Sequence, residues 1–349
     1  MSALEKVLAW PAKAIDRYRL ALWTAAEVAD ATGGVPSGPF QVAGVETDSR
    51  EVRPGDLFVA LRGESTDGHK FLDKAFANGA AAALVERPIP APHVLVEDTA
   101  KALEALAAFA RERVGGTIIG VTGSVGKTGV KEAIFTALDR ASRGAAHRSV
   151  KSYNNHVGVP LSLARMPGAS AFGVFEMGMN HAGEIAALTR QVRPHVAVIT
   201  TIAPAHIENL GSEEAIADAK AEIFAGLEPG GTAVIPIDSP HFARLRDAAV
   251  RCGARVLAFG KARDADVRLL DAVPSANGGS LVTAALGERR LCYTVAEPGE
   301  HWIANSLAVM GAVHAAGGDL GATGLALAEM GGLKGRGARH RVPVPGGHA

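Results

Sequence analysis

From Thr117 to Phe259 the hydrophobic positions come in short unbroken runs: Thr117 to Thr122, Phe172 to Phe175, Val196 to Ile202, Thr232 to Ile237 and Val256 to Phe259. Helical segments separate most of them. Continuous apolar strands alternating with helices predict a parallel sheet covered on both faces, with ligands held at the carboxyl ends of its strands. Upstream, between Trp23 and about Gly115, the pattern is mixed. A helix at Ala25 to Thr32, strands at Leu57 to Leu61 and Ala82 to Val85, and a helix at Thr99 to Val114 predict a smaller α/β unit. Downstream, Asp266 to Val295 carries short β-prone runs parted by Asn277-Gly278-Gly279 and Gly287-Glu288. Both are turn signals, so antiparallel strands are expected to extend the sheet. Helical stretches at His301 to Ala316 and Leu320 to Met330 then lead into a glycine-rich basic segment, 331–340. No internal repeat is visible.

The first 22 residues mix Glu5, Lys6, Lys13, Asp16, Arg17 and Arg19 with apolar residues, which rules out the unbroken hydrophobic region of a signal peptide. Leu4, Val7, Leu8 and Ile15 are expected on one face of a surface helix packed on its own domain. No run is long enough to span a membrane, and a cytoplasmic location is expected. A chain of 349 residues suggests two or three domains, and 48% hydrophobic with 21% charged residues places it among globular proteins. Thirty-six basic residues balance 36 acidic ones. No global field therefore favours nucleic acid or an anionic membrane, and anion selectivity must be local. Cys252 and Cys292 lie far apart, without metal-ligand spacing.

One segment carries specific chemistry. Thr117-Ile-Ile-Gly-Val-Thr-Gly-Ser-Val-Gly-Lys-Thr-Gly-Val-Lys-Glu132 reads as buried strand, glycine-rich turn and helix start. Such a junction holds a nucleotide triphosphate. Gly123, Ser124 and Gly126 let backbone N–H groups close on phosphate oxygens, Lys127 neutralises charge, and the Thr128 hydroxyl can bind Mg²⁺. The strict Walker pattern fails at one place, Val121, which stands where its first glycine belongs.

A phosphate loop alone leaves kinase, ATPase and ligase open, so other residues at the strand ends matter. Glu176 ends an apolar strand and is followed by Met177-Gly178; it reads either as an oxygen ligand for Mg²⁺ or as a solvated strand-end glutamate. His206, in Thr200-Thr-Ile-Ala-Pro-Ala-His206, reads as a metal or phosphate contact or as a hydrogen-bonding loop histidine. The segment Ser212 to Leu227 has an N-cap serine, an acidic first turn, and Ile216, Ile223, Phe224 and Leu227 at helical spacing. Lys220 falls on that apolar stripe. It is either a snorkelling lysine or a desolvated amine of lowered pKa. His301 and Asn305, four apart at a helix start, either read an adenine edge or satisfy local backbone.

Taken together, these pieces resemble the Mur ligases, the ATP-dependent amide-forming enzymes of peptidoglycan precursor synthesis. The resemblance runs from about Leu22 to the last residue. It includes Thr47-Asp-Ser-Arg50, Pro54-Gly-Asp-Leu-Phe-Val-Ala-Leu61, Asp67-Gly-His69, the phosphate loop, Asn154-Asn-His-Val-Gly-Val-Pro160, Glu176-Met-Gly178, Gly183-Glu-Ile185, Ala205-His206, Lys220-Ala-Glu-Ile-Phe224 and Lys334-Gly-Arg336. The Asn-Asn-x-x-Gly-Val-Pro form points to the D-alanyl-D-alanine-adding branch.

The resemblance implies a UDP-muramoyl-peptide-binding domain over 1–115, an ATP-binding domain over 116–335 and a linker stub over 336–349. It makes Lys127, Thr128, His301, Asn305 and Arg336 nucleotide residues, and Thr128, Glu176 and His206 ligands of Mg²⁺. Lys220 matches the lysine this family carbamylates to support a second Mg²⁺, and Lys127, Lys220 and His206 become the catalytic set. Asp48, Ser49 and Arg50 would lie toward the uridine of a UDP-MurNAc-tripeptide, and Asn154 and Asn155 would also contact that substrate. The implied reaction phosphorylates the tripeptide's carboxylate with ATP and adds D-Ala-D-Ala to the acyl phosphate, in a chain expected to be monomeric. Two departures stand out. Gly129 occupies the place of a second hydroxyl residue, and the sequence stops where the family's third domain is expected, so a truncated ligase of low turnover is anticipated. A non-catalytic nucleotide or UDP-sugar-binding module and an unrelated P-loop kinase or ATPase are the alternatives.

Overall fold

A computed structural model describes residues 21–63, 66–205, 207–275, 278–331, 343–344 and 347–348. The surface helix expected in the first 20 residues, His206, and the 332–342 segment with Lys334 and Arg336 lie outside the described residues. The chain divides into two compact units, Met1–Ala110 and Arg111–Ala349.

In the first unit, β1 (Trp23–Thr24), β2 (Val35–Pro36), β3 (Gln41–Val42), β4 (Gly44–Glu46), β5 (Asp56–Val59), β6 (Ala82–Val85) and β7 (His93–Leu95) form two sheets. β1 pairs with β3, and the larger sheet has the order β2-β7-β6-β5-β4. Its β4 to β7 pairs are parallel and β2 is antiparallel. Helix Ala25–Thr32 starts where expected because Thr24 and Glu27 close a reciprocal capping box, and it stops at Gly33, whose φ is 67°. Trp23 is fully buried, its ring 5.8 Å from that of Phe109.

The second unit is built on β8 (Thr117–Thr122), β9 (Ala146–Arg148), β10 (Phe172–Glu176), β11 (Val196–Ile199), β12 (Thr232–Pro236), β13 (Arg255–Gly260), β14 (Val267–Pro274), β15 (Ser280–Leu286) and β16 (Arg289–Val295). Among the described residues they form a nine-stranded sheet ordered β16-β15-β14-β13-β12-β11-β8-β10-β9. Every pair from β9 to β14 is parallel, whereas β14, β15 and β16 meander antiparallel. The α/β class with appended antiparallel strands is thus the observed architecture. Ile119, Val121, Val174, Val198 and Val234 from the strands pack with Ile134 and Leu138 of helix Lys127–Ala141 and with Val309 and Val313 of helix Glu300–Ala315. Each such aliphatic side chain contributes about 1.5–3 kcal/mol on burial.

β8 lies between β10 and β11, so the chain leaves it to opposite sides. That reversal opens a crevice beyond the carboxyl end of β8, where the glycine-rich turn sits. Two elements differ from expectation. β11 stops at Ile199 because Thr200 turns toward the loop, donating its hydroxyl to Val125 O at 2.6 Å. The helix expected over Ser212 to Leu227 is an α-helix, Glu213–Ala221, followed by a 3₁₀ turn, Glu222–Gly226. Here the Thr189 hydroxyl takes the Ile223 carbonyl at 2.8 Å, drawing it out of the α ladder. Among the described residues no helix is long and apolar enough to cross a membrane.

Candidate active site

Val121, the misfit in the Walker pattern, is a fully buried strand residue paired with Glu176 and Val198, so the loop proper begins only at Gly123. Gly123 has φ 144°, and a Cβ there would collide with the Thr200 hydroxyl. Gly126, at φ 88°, ends the loop, and its missing side chain leaves room for the Asn305 amide, which a Cβ would approach to 2.9 Å. Ser124 holds the loop from below. Its N–H donates to Thr201 O at 2.8 Å, its hydroxyl donates to Ala203 O at 2.9 Å, and Ala203 N donates back to that hydroxyl. Lys127 curls over the loop, donating its ammonium to Gly123 O at 2.8 Å.

The Thr128 hydroxyl donates to Glu176 Oε2 at 2.9 Å, and Asn154 Nδ2 donates to Glu176 Oε1 at 2.8 Å. Glu176 is buried as the last residue of β10 and is therefore not a solvated strand end. An adjacent hydroxyl and carboxylate form a hard oxygen pair of the kind Mg²⁺ prefers, next to the loop that would hold phosphate. Thr128 and Glu176 fit that ion; His206 lies outside the described residues.

Lys220 is 1% exposed, its amine brought down to about 7 first by burial and then by the charge of Lys127, with Glu222 opposing. It does not snorkel: Ile216, Ile223 and Phe224 are buried around the same stripe. Ser212 caps the helix by accepting from Ala215 N. Glu222, two residues after Lys220, accepts from Gly183 N at 2.6 Å and Ala186 N at 3.0 Å, which ties two of the sequence motifs together at one helix start.

Two cavities flank the loop. One of about 580 Å³ runs from Val125 and Gly126 past Thr200, Asp238, Phe259 and Lys261 to His301 and Asn305. Asn305 is buried at its phosphate-loop end, and His301 is exposed on the same helix face. The other, of about 180 Å³, is lined by Lys127, Asn154, Asn155, Gly178, Met179, Asn180 and Glu184. Asn155 accepts from Gly158 N through its side chain at 2.8 Å, starting the helix that follows. The structure therefore brings Lys127, Thr128, Glu176, Asn154 and Asn155 together.

Asp48, Ser49 and Arg50 belong to the first unit. The buried Glu46 carboxylate accepts from the amides of Thr47 and Asp48, and the turn it fixes sets Asp48 and Arg50 in a bidentate pair with Arg50 Nη2 at 2.6 Å.

Residues 121–313 match the Mur ligase middle domain, and residues 41–111 match the Mur ligase family catalytic domain. The chain belongs to the Mur ligase family. It is similar to the UDP-N-acetylmuramoyl-tripeptide–D-alanyl-D-alanine ligase of Escherichia coli (strain K12), 36% identical over 307 residues, which cover 87% of this chain and 67% of that protein. The corresponding ligase of Bacillus subtilis (strain 168) is 36% identical over 276 residues, 78% of this chain, and the match spans 58% of that ligase's length. Among solved structures, MurF from Acinetobacter baumannii superposes with a TM-score of 0.78 at 32% identity, covering 90% of this chain and 69% of that one. MurF from Thermotoga maritima in complex with ADP gives 0.68 at 30% identity, covering 85% and 68%. As a MurF-like Mur ligase, the chain has a site whose phosphate loop and Asn154–Asn155 segment both fall inside the matched middle domain.

Thr200, Asp238, Lys261, Asn180 and Lys131 were not among the residues expected at the site, and Glu184 entered only within the Gly183-Glu-Ile185 motif. Thr200 and Thr201, two polar residues closing an apolar run, were a usable signal. So was Lys131, which stands beside Ile134 and Leu138 on a helical stripe just as Lys220 does on its own.

Proposed function

We propose that this chain is an ATP-dependent ligase that activates the terminal carboxylate of a UDP-MurNAc-tripeptide and joins it to D-Ala-D-Ala, in the cytoplasm, as a monomer. The observation that carries the reading is the shared wall of the smaller cavity. Lys127 of the phosphate loop and the Asn154–Asn155 segment face one space, so a phosphoryl donor and an acceptor carboxylate can meet there.

The larger cavity takes the nucleoside, with His301 and Asn305 beside it, and Gly123, Ser124, Gly126, Lys127 and Thr128 cradle the phosphates. The Thr128–Glu176 oxygen pair, with His206, would hold Mg²⁺, which would supply charge neutralisation on the transferring phosphoryl group. Arg336, outside the described residues, is assigned to the nucleotide by resemblance. Asn154 and Asn155 orient the peptide carboxylate, while Asp48, Ser49 and Arg50 contact the uridine end. Attack of that carboxylate on the γ-phosphorus yields an acyl phosphate and ADP, and the dipeptide amine then displaces phosphate. Alignment of the reacting groups and the fixed positive charge of Lys127 lower the barrier. Lys220, its pKa lowered to about 7 by burial, is the amine to carbamylate: its neutral form adds CO₂ and loses a proton, becoming an anion that would support a second Mg²⁺. The domain assignments 1–115 for the UDP-peptide and 116–335 for ATP follow the same reading.

The test incubates the protein with Mg²⁺, ATP and UDP-MurNAc-tripeptide, with and without D-Ala-D-Ala, and follows ADP and peptide products by mass spectrometry. ADP release that requires the tripeptide, with pentapeptide formed only when the dipeptide is present, is the expected result. ATP hydrolysis indifferent to the tripeptide would support a kinase or ATPase instead, and saturable binding of tripeptide without ADP release a non-catalytic module.

A further inference from the structure

Among the described residues, Lys220 is not the only buried lysine near the site. Lys131, one helical turn after Lys127 on the same helix, has no exposed surface. Its ammonium donates to Ser149 O at 2.8 Å and Lys151 O at 2.8 Å, and pairs with Glu132 Oε1 at 2.9 Å. An aliphatic residue would fill the same volume without the desolvation cost of a charge. What the ammonium adds is direction: three acceptors matched by three donors, two of them carbonyls of the segment that leads to Asn154 and Asn155.

That segment needs holding. Lys151 has φ 53°, a left-handed conformation that a residue with a side chain adopts at a cost, and its carbonyl is one of the two captured. Ser149 is fully buried, and its hydroxyl accepts from Glu176 N at 3.2 Å. Asn154 closes the circuit by donating to the Glu176 carboxylate and accepting from Gly178 N at 2.8 Å.

We propose that Lys131 is a positioning residue that fixes the Asn154–Asn155 wall of the smaller cavity in register with the phosphate loop, so that it governs acceptor binding and not nucleotide binding. The inference rests on the substrate reading above. The helix carries Lys127 at its first position whether or not Lys131 is charged, and the nucleoside cavity does not include Ser149 or Lys151. Loss of the ammonium releases two carbonyls and lets the acceptor wall drift, while Val125 stays tied to Thr200, and Ser124 to Thr201 and Ala203.

Equilibrium binding of a nonhydrolysable Mg·ATP analogue and of UDP-MurNAc-tripeptide is measured on the full chain, its Lys131→Met variant and its Ser149→Ala variant. Lys131→Met is expected to weaken the tripeptide about tenfold or more while nucleotide affinity stays within about twofold, and Ser149→Ala to shift the tripeptide in the same direction by a smaller factor. Equal losses for both ligands, or unchanged tripeptide affinity in the variants, would overturn the inference. Should Lys131→Met not fold, Lys131→Gln, which removes the charge and shortens the reach to Ser149 O and Lys151 O, decides by the same criterion. A wild-type chain that binds nucleotide but no tripeptide would remove the substrate reading itself, a result visible before any variant is compared.

Discussion

The indole of Trp302 fills the space beside Gly129: a Cβ built on that glycine would lie 2.7 Å from Trp302 Cη2 and 3.0 Å from Cζ2. Gly129 is buried in the first turn of the helix that follows the phosphate loop, and Trp302 stands in the first turn of helix Glu300–Ala315, next to His301 of the larger cavity. The glycine that departs from the family pattern thus has a packing partner, and the two helices meet more closely than a hydroxyl side chain would permit.

Gly129→Ala sets two effects against each other. Helix propensity favours alanine by about 1 kcal/mol, whereas overpacking against a rigid ring costs about 1–3 kcal/mol. The clash is expected to win, lowering the denaturation midpoint. In a Trp302→Ala background the same substitution should become stabilising, and a double-mutant cycle by chemical denaturation reads the change of sign.

Glu176→Gln removes the charge from the Thr128–Glu176 pair but keeps an acceptor for Asn154. Nucleotide affinity in the presence of Mg²⁺ should fall about tenfold or more, with little change in its absence. Titration of an ATP analogue with and without the metal checks this, and equal losses under both conditions would argue against metal ligation.

The depressed pKa of Lys220 makes a stability prediction. The unfolded lysine holds its proton up to about 10.5, whereas the folded one releases it near 7. Between those values the unfolded state binds more protons, so stability rises with pH across that window; below about 7 the whole penalty is present. In CO₂-free buffer Lys220→Met should be more stable than wild type at pH 7, by on the order of a few kcal/mol, and the two should converge as pH approaches 10.5. Denaturant titrations across pH provide the comparison.

The same amine should react with carbon dioxide. With ¹³C-bicarbonate, a carbamate carbon signal is expected in wild type that strengthens as pH rises through about 7 and is missing from Lys220→Met. A signal of equal intensity in the variant would remove Lys220 from the chemistry.

Much of this arrangement could be read from the chain because it is local. The run of β8, the loop glycines, Lys127 and Thr128 follow one another in sequence, whereas the apolar stripe around Lys220 left a snorkelling lysine and a desolvated amine both open until burial decided for the second. What could not be read depends on pairing at a distance. That Glu176 bonds Thr128, 48 positions away, requires knowing that β10 lies beside β8. Asp238 and Lys261 meet, the Lys261 amide donating to the carboxylate at 2.7 Å, only because β12 and β13 are neighbours. The break at Glu222 arose from Thr189, whose hydroxyl competes for a helical carbonyl from another element.

The most direct measurement is a crystal structure with Mg²⁺, ADP and UDP-MurNAc-tripeptide. The β-phosphate is expected within the Gly123–Thr128 loop, the metal between Thr128 and Glu176, and the tripeptide carboxylate in the cavity shared by Lys127, Asn154 and Asn155. Nucleotide density away from that loop, or a tripeptide bound with its carboxylate remote from Lys127, would contradict this arrangement.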